Sequence, residues 1–67
     1  MMNKEIAKGK WHQLSGSIQE KWGELSNDEI TQIEGKFDKF YGKMQEKYGM
    51  SKEEAQRAFD GLSQPSI

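Results

Sequence analysis

Sixty-seven residues bound the chain to one domain, near the lower size limit for a single hydrophobic core. Ten basic against eleven acidic residues leave a formal charge of −1, a poor start for a nucleic-acid binder, whose affinity rests on neutralising phosphate. With no cysteine there is no disulfide framework, thiolate metal site or thiol nucleophile, and the composition leans toward a reducing cytoplasm.

A mean hydropathy of −1.02 with seven glycines would permit disorder, but two Trp, two Tyr and three Phe fall at helical spacing. The opening "MMNKEIAKGK" has no apolar signal core. No apolar run approaches the ~20 residues that cross a bilayer. The expectation is a soluble, cytoplasmic protein.

In chain order, the first helix is predicted at about 4–22. Trp11, Leu14, Ile18 and Trp22 step by three and four along one face, with Leu25 following. A second, short helix is expected at 27–34, where Ser26-x-x-Glu29 forms a capping box ahead of Ile30 and Ile33. The third is predicted at 36–48 from Phe37, Phe40, Met44 and Tyr48. The stripe does not break between the second and third, so they could run together through Gly35; the repeat described next favours a bend. A fourth at 52–60 opens on the box Ser51-x-x-Glu54. It carries Ala55, Ala58, Phe59 and Leu62, and is stopped by Gly61 and Pro65. Residues 63–67 are expected to be a flexible tail.

The chain repeats itself. "GSIQEKWG" (Gly16–Gly23) returns 26 residues later as "GKMQEKYG" (Gly42–Gly49), and seven of the fifteen positions of Gly9–Gly23 recur in Gly35–Gly49. Apolar positions match in kind: Trp11 with Phe37, Leu14 with Phe40, Ile18 with Met44, Trp22 with Tyr48. This reads as an internal duplication of an αα-hairpin, copy one at about 4–34 and copy two at about 35–62. The expected fold is all-α, four short helices in two tandem hairpins whose aromatic faces form the core.

Gly9, Gly16 and Gly23 are seven apart, as are Gly35, Gly42 and Gly49, so each trio lies on one line opposite the aromatic stripe. Gly23 and Gly49 are expected as C-terminal caps. Gly16 and Gly42 sit inside helices at a cost of about 1 kcal/mol each relative to Ala. Either they admit a close helix contact, within the domain before a partner, or they keep the helices loose.

Catalytic chemistry finds little to build on. The one histidine, His12, flanks Trp11 and is expected in solvent, and no carboxylate cluster accompanies it as a zinc site requires. A Ser–His–Asp arrangement needs a buried Asp, whereas Asp28, Asp38 and Asp60 fall at caps or on polar faces. The pairs Asp28-Glu29 and Glu53-Glu54 occupy first-turn positions, where acids suit the helix dipole. No enzyme activity, metal or cofactor is predicted.

One line of charge stands out. Lys36, Lys39, Lys43 and Lys47 step by three, four and four beside the aromatic stripe of the third helix, where copy one has Lys10, Gln13, Ser17 and Lys21. These four lysines are the candidate anion or partner contact: nucleic-acid phosphate, an anionic lipid head or an acidic protein. The structural alternative is that their stems cover the edge of the core while the ammonium groups stay in water.

The ordered set Trp11, Gly16, Trp22-Gly23, Leu25, then Glu34-Gly35-Lys36, Asp38, Gly42-Lys43, Gln45-Glu46 and Tyr48-Gly49 resembles the CsbD-like family of small bacterial stress-response proteins, over about residues 3–60. The resemblance implies two helical hairpins packed crosswise, similar to the SAM-domain arrangement. It also implies expression under general stress, and no catalytic residues to carry over. The chain departs from the family at Gly16-Ser17, where Gly-Lys is frequent, and so lacks one positive charge in copy one. The expected function is a non-enzymatic stress-response protein, a binding or protective helical domain that is monomeric or weakly self-associating, with a macromolecular partner unidentified. The alternative is a nucleic-acid-binding module using the lysine line.

Overall fold

Two serines set where the shorter elements begin. A computed structural model describes residues 5–63, Ser63 by its backbone alone, as four helices: α1 (Lys8–Lys21), α2 (Asn27–Ile33), α3 (Phe37–Tyr48) and α4 (Lys52–Ser63). At α2 the Glu29 N–H donates to Ser26 Oγ at 3.1 Å, and the Ser26 N–H donates to Glu29 Oε1 at 3.0 Å. At α4 the same reciprocal pair joins Ser51 and Glu54 at 3.2 and 3.0 Å. Both boxes form as their spacing requires, and each satisfies two backbone donors that a helix start leaves open. Among the described residues the chain is all-helical, with α1 packed on α2, α2 on α3 and α3 on α4.

The start of the first helix differs from the prediction of residue 4, a position outside the described residues. Glu5 bridges Lys36 in antiparallel fashion, and the Ile6 N–H donates to the Gly35 carbonyl at 2.7 Å. Ile6 is buried. Had the helix begun at residue 4, Ile6 would sit about 140° around the axis from Trp11, far from the core stripe. Extended backbone turns it inward instead, and α1 starts only at Lys8.

The bend between α2 and α3 is real. Glu34 caps α2 in the left-handed region (φ 55°), and Gly35 follows at φ 76°. A Cβ at Gly35 would run into the Ile6 carbonyl oxygen. Glycine is needed there twice over, for its dihedral and for the close backbone approach.

The core is built around Phe40. Its ring lies 5.5 Å from Trp22, 6.4 Å from Trp11 and 5.2 Å from Phe59, the Trp contacts edge-to-face. Phe37 adds an edge contact to Phe59 at 5.5 Å. Ile18, Leu25, Ile30, Ile33, Met44 and Ala55 close the remaining space, all essentially inaccessible. Trp11 also does polar work: its indole N–H donates to the Ile30 carbonyl at 2.7 Å, inside the core. That carbonyl lies in the last turn of α2, where helical acceptors lack internal partners. A second loose end, the Leu25 carbonyl, accepts from Gln19 Nε2 at 2.6 Å.

The two copies of the repeat are not used alike. Leu14 is half-buried while its counterpart Phe40 is fully enclosed, and Trp22 is buried while Tyr48 is, among the described residues, the large apolar side chain most open to solvent, at 37%. The helix stops differ as well. Gly49 ends α3 in the left-handed conformation (φ 64°), its N–H donating to the Gln45 carbonyl. At the end of α1 the cap is Trp22 (φ −124°), and Gly23 is not left-handed. Three residue steps separate Gly23 from its capping serine but only two separate Gly49 from Ser51. The longer turn needs no left-handed residue to reverse the chain. α4 also runs through Gly61 to Ser63 rather than stopping at 60, because Leu62 still packs on the core. Ser63, the first residue of the expected tail, is instead the last of α4, and the remainder of that tail with Pro65 lies outside the described residues.

Close packing at Gly16 and Gly42 is overturned within the described fold: a Cβ added at either meets nothing within 4 Å. With no contact to protect, Gly16→Ala and Gly42→Ala should each stabilise the domain by about 1 kcal/mol through helix propensity alone. Chemical denaturation of each variant checks this, and a loss of stability at either site would contradict the open geometry.

Candidate functional site

The four lysines of the predicted line are all on α3 or its N-cap, but three of them do not face open water alone. Lys43 Nζ lies 3.1 Å from Glu29 Oε2, and Lys47 Nζ lies 3.4 Å from the same oxygen. Lys39 Nζ is 3.5 Å from Glu34 Oε1, whose other oxygen stands 3.8 Å from Lys8 Nζ. Lys43 also reaches Glu46 Oε1 on its own helix at 3.7 Å. Lys36, the exposed N-cap of α3, makes none of these pairs. The basic line is therefore laced to carboxylates at both ends of α2.

Glu29 is the centre of this arrangement. It is the N3 residue of the capping box, so one carboxylate oxygen accepts from the Ser26 N–H while the other takes two lysines. These contacts lower its carboxyl from the ordinary 4.5 to about 2, first through Ser26, then through the Lys43 hydrogen bond, with the charges of Lys47 and Lys43 adding to it. Lys43 is raised in turn, mainly by its bond to Glu29. Glu54, with its own box but no such lysines, is lowered chiefly by the bonds from Ser51.

Two open grooves flank α2. One of about 730 Å³ runs between α2 and α3, lined by Thr31, Glu34, Lys39, Gly42, Lys43 and Glu46. The other, about 510 Å³ between α1 and α2, has Trp11 and Ile30 with His12 and Thr31 around it. His12 is exposed, as its flank position predicts. Among the described residues no three His, Asp or Glu side chains converge as a metal would require, and no helix is long and apolar enough to cross a membrane. Asp28, Glu29, Glu53 and Glu54 sit in first turns, where Glu29 and Glu54 complete caps. What the arrangement does chemically is fix charge: it holds ammonium and carboxylate groups in register between two helices.

The partners of the lysines were invisible in the spacing, because Glu29 and Lys43 are 14 residues apart and meet only across the α2–α3 bend. The one local hint was Glu29 itself, whose capping role fixes where its carboxylate stands.

The family model described as CsbD-like matches residues 5–57. The chain belongs to the CsbD-like family. This CsbD-like chain is 48% identical over 59 residues to the UPF0337 protein YjbJ of Escherichia coli O6:H1, covering 88% of the chain and 86% of that protein. It is 49% identical over 57 residues to YjbJ of Salmonella typhimurium, with 85% and 81% covered. A UPF0337 protein of Bordetella pertussis is 50% identical over 56 residues, with 84% and 85% covered. These relatives are bacterial, and their names assign no reaction. For this CsbD-like domain the matched span takes in the Ile6–Gly35 contact, both capping boxes and every lysine pair described above.

Proposed function

We propose that this chain is a non-enzymatic bacterial stress-response protein, a small cytoplasmic helical domain that protects other macromolecules by abundance rather than by transforming a substrate. The observation that carries the reading is the ion-pair lacing of α3 to α2. It spends the chain's most organised charge on holding a short helix in place and leaves a strongly hydrophilic exterior with near-zero net charge. Ser26, Glu29, Ser51 and Glu54 serve as caps, and Glu29 and Glu34 as lysine partners. Membership of the CsbD-like family supports the stress-response part, and the absence of cysteine fits a reducing compartment.

The reading is tested by heating or drying a labile enzyme with increasing amounts of the purified chain and following aggregation by light scattering. Protection that grows smoothly with mass ratio, and survives Lys39→Gln with Lys47→Gln, is the expected result. Protection that saturates at a fixed stoichiometry and disappears in that variant would point instead to a discrete binding site on α3.

A further inference from the structure

The lysine pairs are not evenly replaceable. Glu46 lies on α3 itself with its side chain 64% exposed, an ordinary i,i+3 surface contact. Glu29 and Glu34 differ because they come from another element and are fixed by it. One Glu29 oxygen accepts from the Ser26 N–H while the other faces the lysines, and the side chain is only 19% exposed. Glu34 is pinned at the cap of α2 by the left-handed turn into Gly35. α2 itself is anchored by Ile30 and Ile33, each 1% exposed, and by the Trp11 bond to Ile30. The backbone that carries both residues is therefore held by the core, although the Glu34 side chain itself is 40% exposed. Together with Glu46 they place three negative charges against the ammonium groups of Lys8, Lys39, Lys43 and Lys47.

Without these acids α3 would present Lys36, Lys39, Lys43 and Lys47 along one side of a single helix, the layout by which basic helices gather phosphate through counterion release. We propose that Glu29 and Glu34 form a built-in counter-charge that keeps the basic line of α3 off nucleic-acid phosphate, an autoinhibitory contact held by the packing of α2. On the reading proposed above, in which the protein is abundant and cytoplasmic, a bare lysine helix would be titrated by nucleic acid. The pairing prevents that while keeping the lysine stems over the edge of the core.

The test is an amide NMR titration with a short DNA duplex at low salt, using the wild-type chain, Glu29→Gln/Glu34→Gln, and that double variant with Lys43→Gln/Lys47→Gln added. Glutamine at N3 still completes a capping box, so the double variant keeps its helix start. The wild type should not shift. The double variant should bind at least about tenfold tighter, shifting amides of α3, with a log–log salt slope of about −3.6 for the four lysines of the line. The added lysine substitutions should abolish this. Equal binding by wild type and double variant, or no binding by a folded double variant, overturns the proposal. Should the double variant lose its amide dispersion, Glu34→Gln alone decides: it frees Lys39 and must gain affinity over wild type, and no gain overturns the proposal equally.

Discussion

Phe40→Ala leaves the domain mostly unfolded at room temperature. Phe40 is the ring on which Trp11 of α1, Trp22 at its C-cap and Phe59 of α4 converge, and no part of it reaches solvent. Truncating a fully buried Phe costs about 3–5 kcal/mol, from lost transfer energy and the cavity left behind. A single core in a chain this small supplies only about 3–5 kcal/mol of net stability, so the loss and the reserve are of the same size. Leu14→Ala, at the matching position of copy one, removes only a half-buried side chain and should cost about 1–2 kcal/mol. Far-UV circular dichroism during urea titration distinguishes them. A cooperative transition for Phe40→Ala at the wild-type midpoint would mean the aromatic cluster is not the centre of the core.

Gly35→Ala is expected to cost about 3 kcal/mol, more than its single methyl suggests. Alanine in the left-handed region costs about 1–2 kcal/mol. The added Cβ also collides with the Ile6 carbonyl, so the backbone pairing of Ile6 with Gly35 must open. Opening it lifts Ile6 from the core and leaves buried backbone groups unpaired. The loss should appear as reduced urea stability and as accelerated hydrogen exchange at the Ile6 amide. Gly9→Ala, at the repeat-related position, meets nothing within 4 Å and should be neutral or slightly stabilising. Equal effects at the two glycines would contradict the division of roles described for the copies.

These two sites also mark where the sequence could be read and where it could not. The core stripe and both capping boxes are local patterns: residues three and four apart share a helix face, and a serine reaches an amide three residues on. Trp11, Ile18, Phe37, Phe40, Met44 and Phe59 were therefore legible, and so was the stop at Gly49. The Ile6 segment was not, because its extended form is imposed by Gly35, far away in sequence, against the good helix propensity of its own residues. The stop at Gly23 misled because the repeat suggested equivalence while the following turn is one residue longer. At Gly16 and Gly42 the sequence posed a choice that only packing resolves. The lysine line was visible as spacing, but its meaning depends on carboxylates brought across the α2–α3 bend.

The most direct measurement is the titration of the Glu29 side chain by carboxyl-carbon NMR. A carboxyl lowered in the folded state contributes stability that is fully present above its ordinary value of 4.5 and is lost as the pH falls through its folded value, here about 2. A Glu29 midpoint near 2, rising toward the ordinary range in a Lys43→Gln/Lys47→Gln variant but kept partly low by the Ser26 N–H, is the predicted result. A wild-type midpoint near 4.5 would mean that Glu29 is solvated and does not clasp Lys43 and Lys47, contradicting the counter-charge proposed for α3.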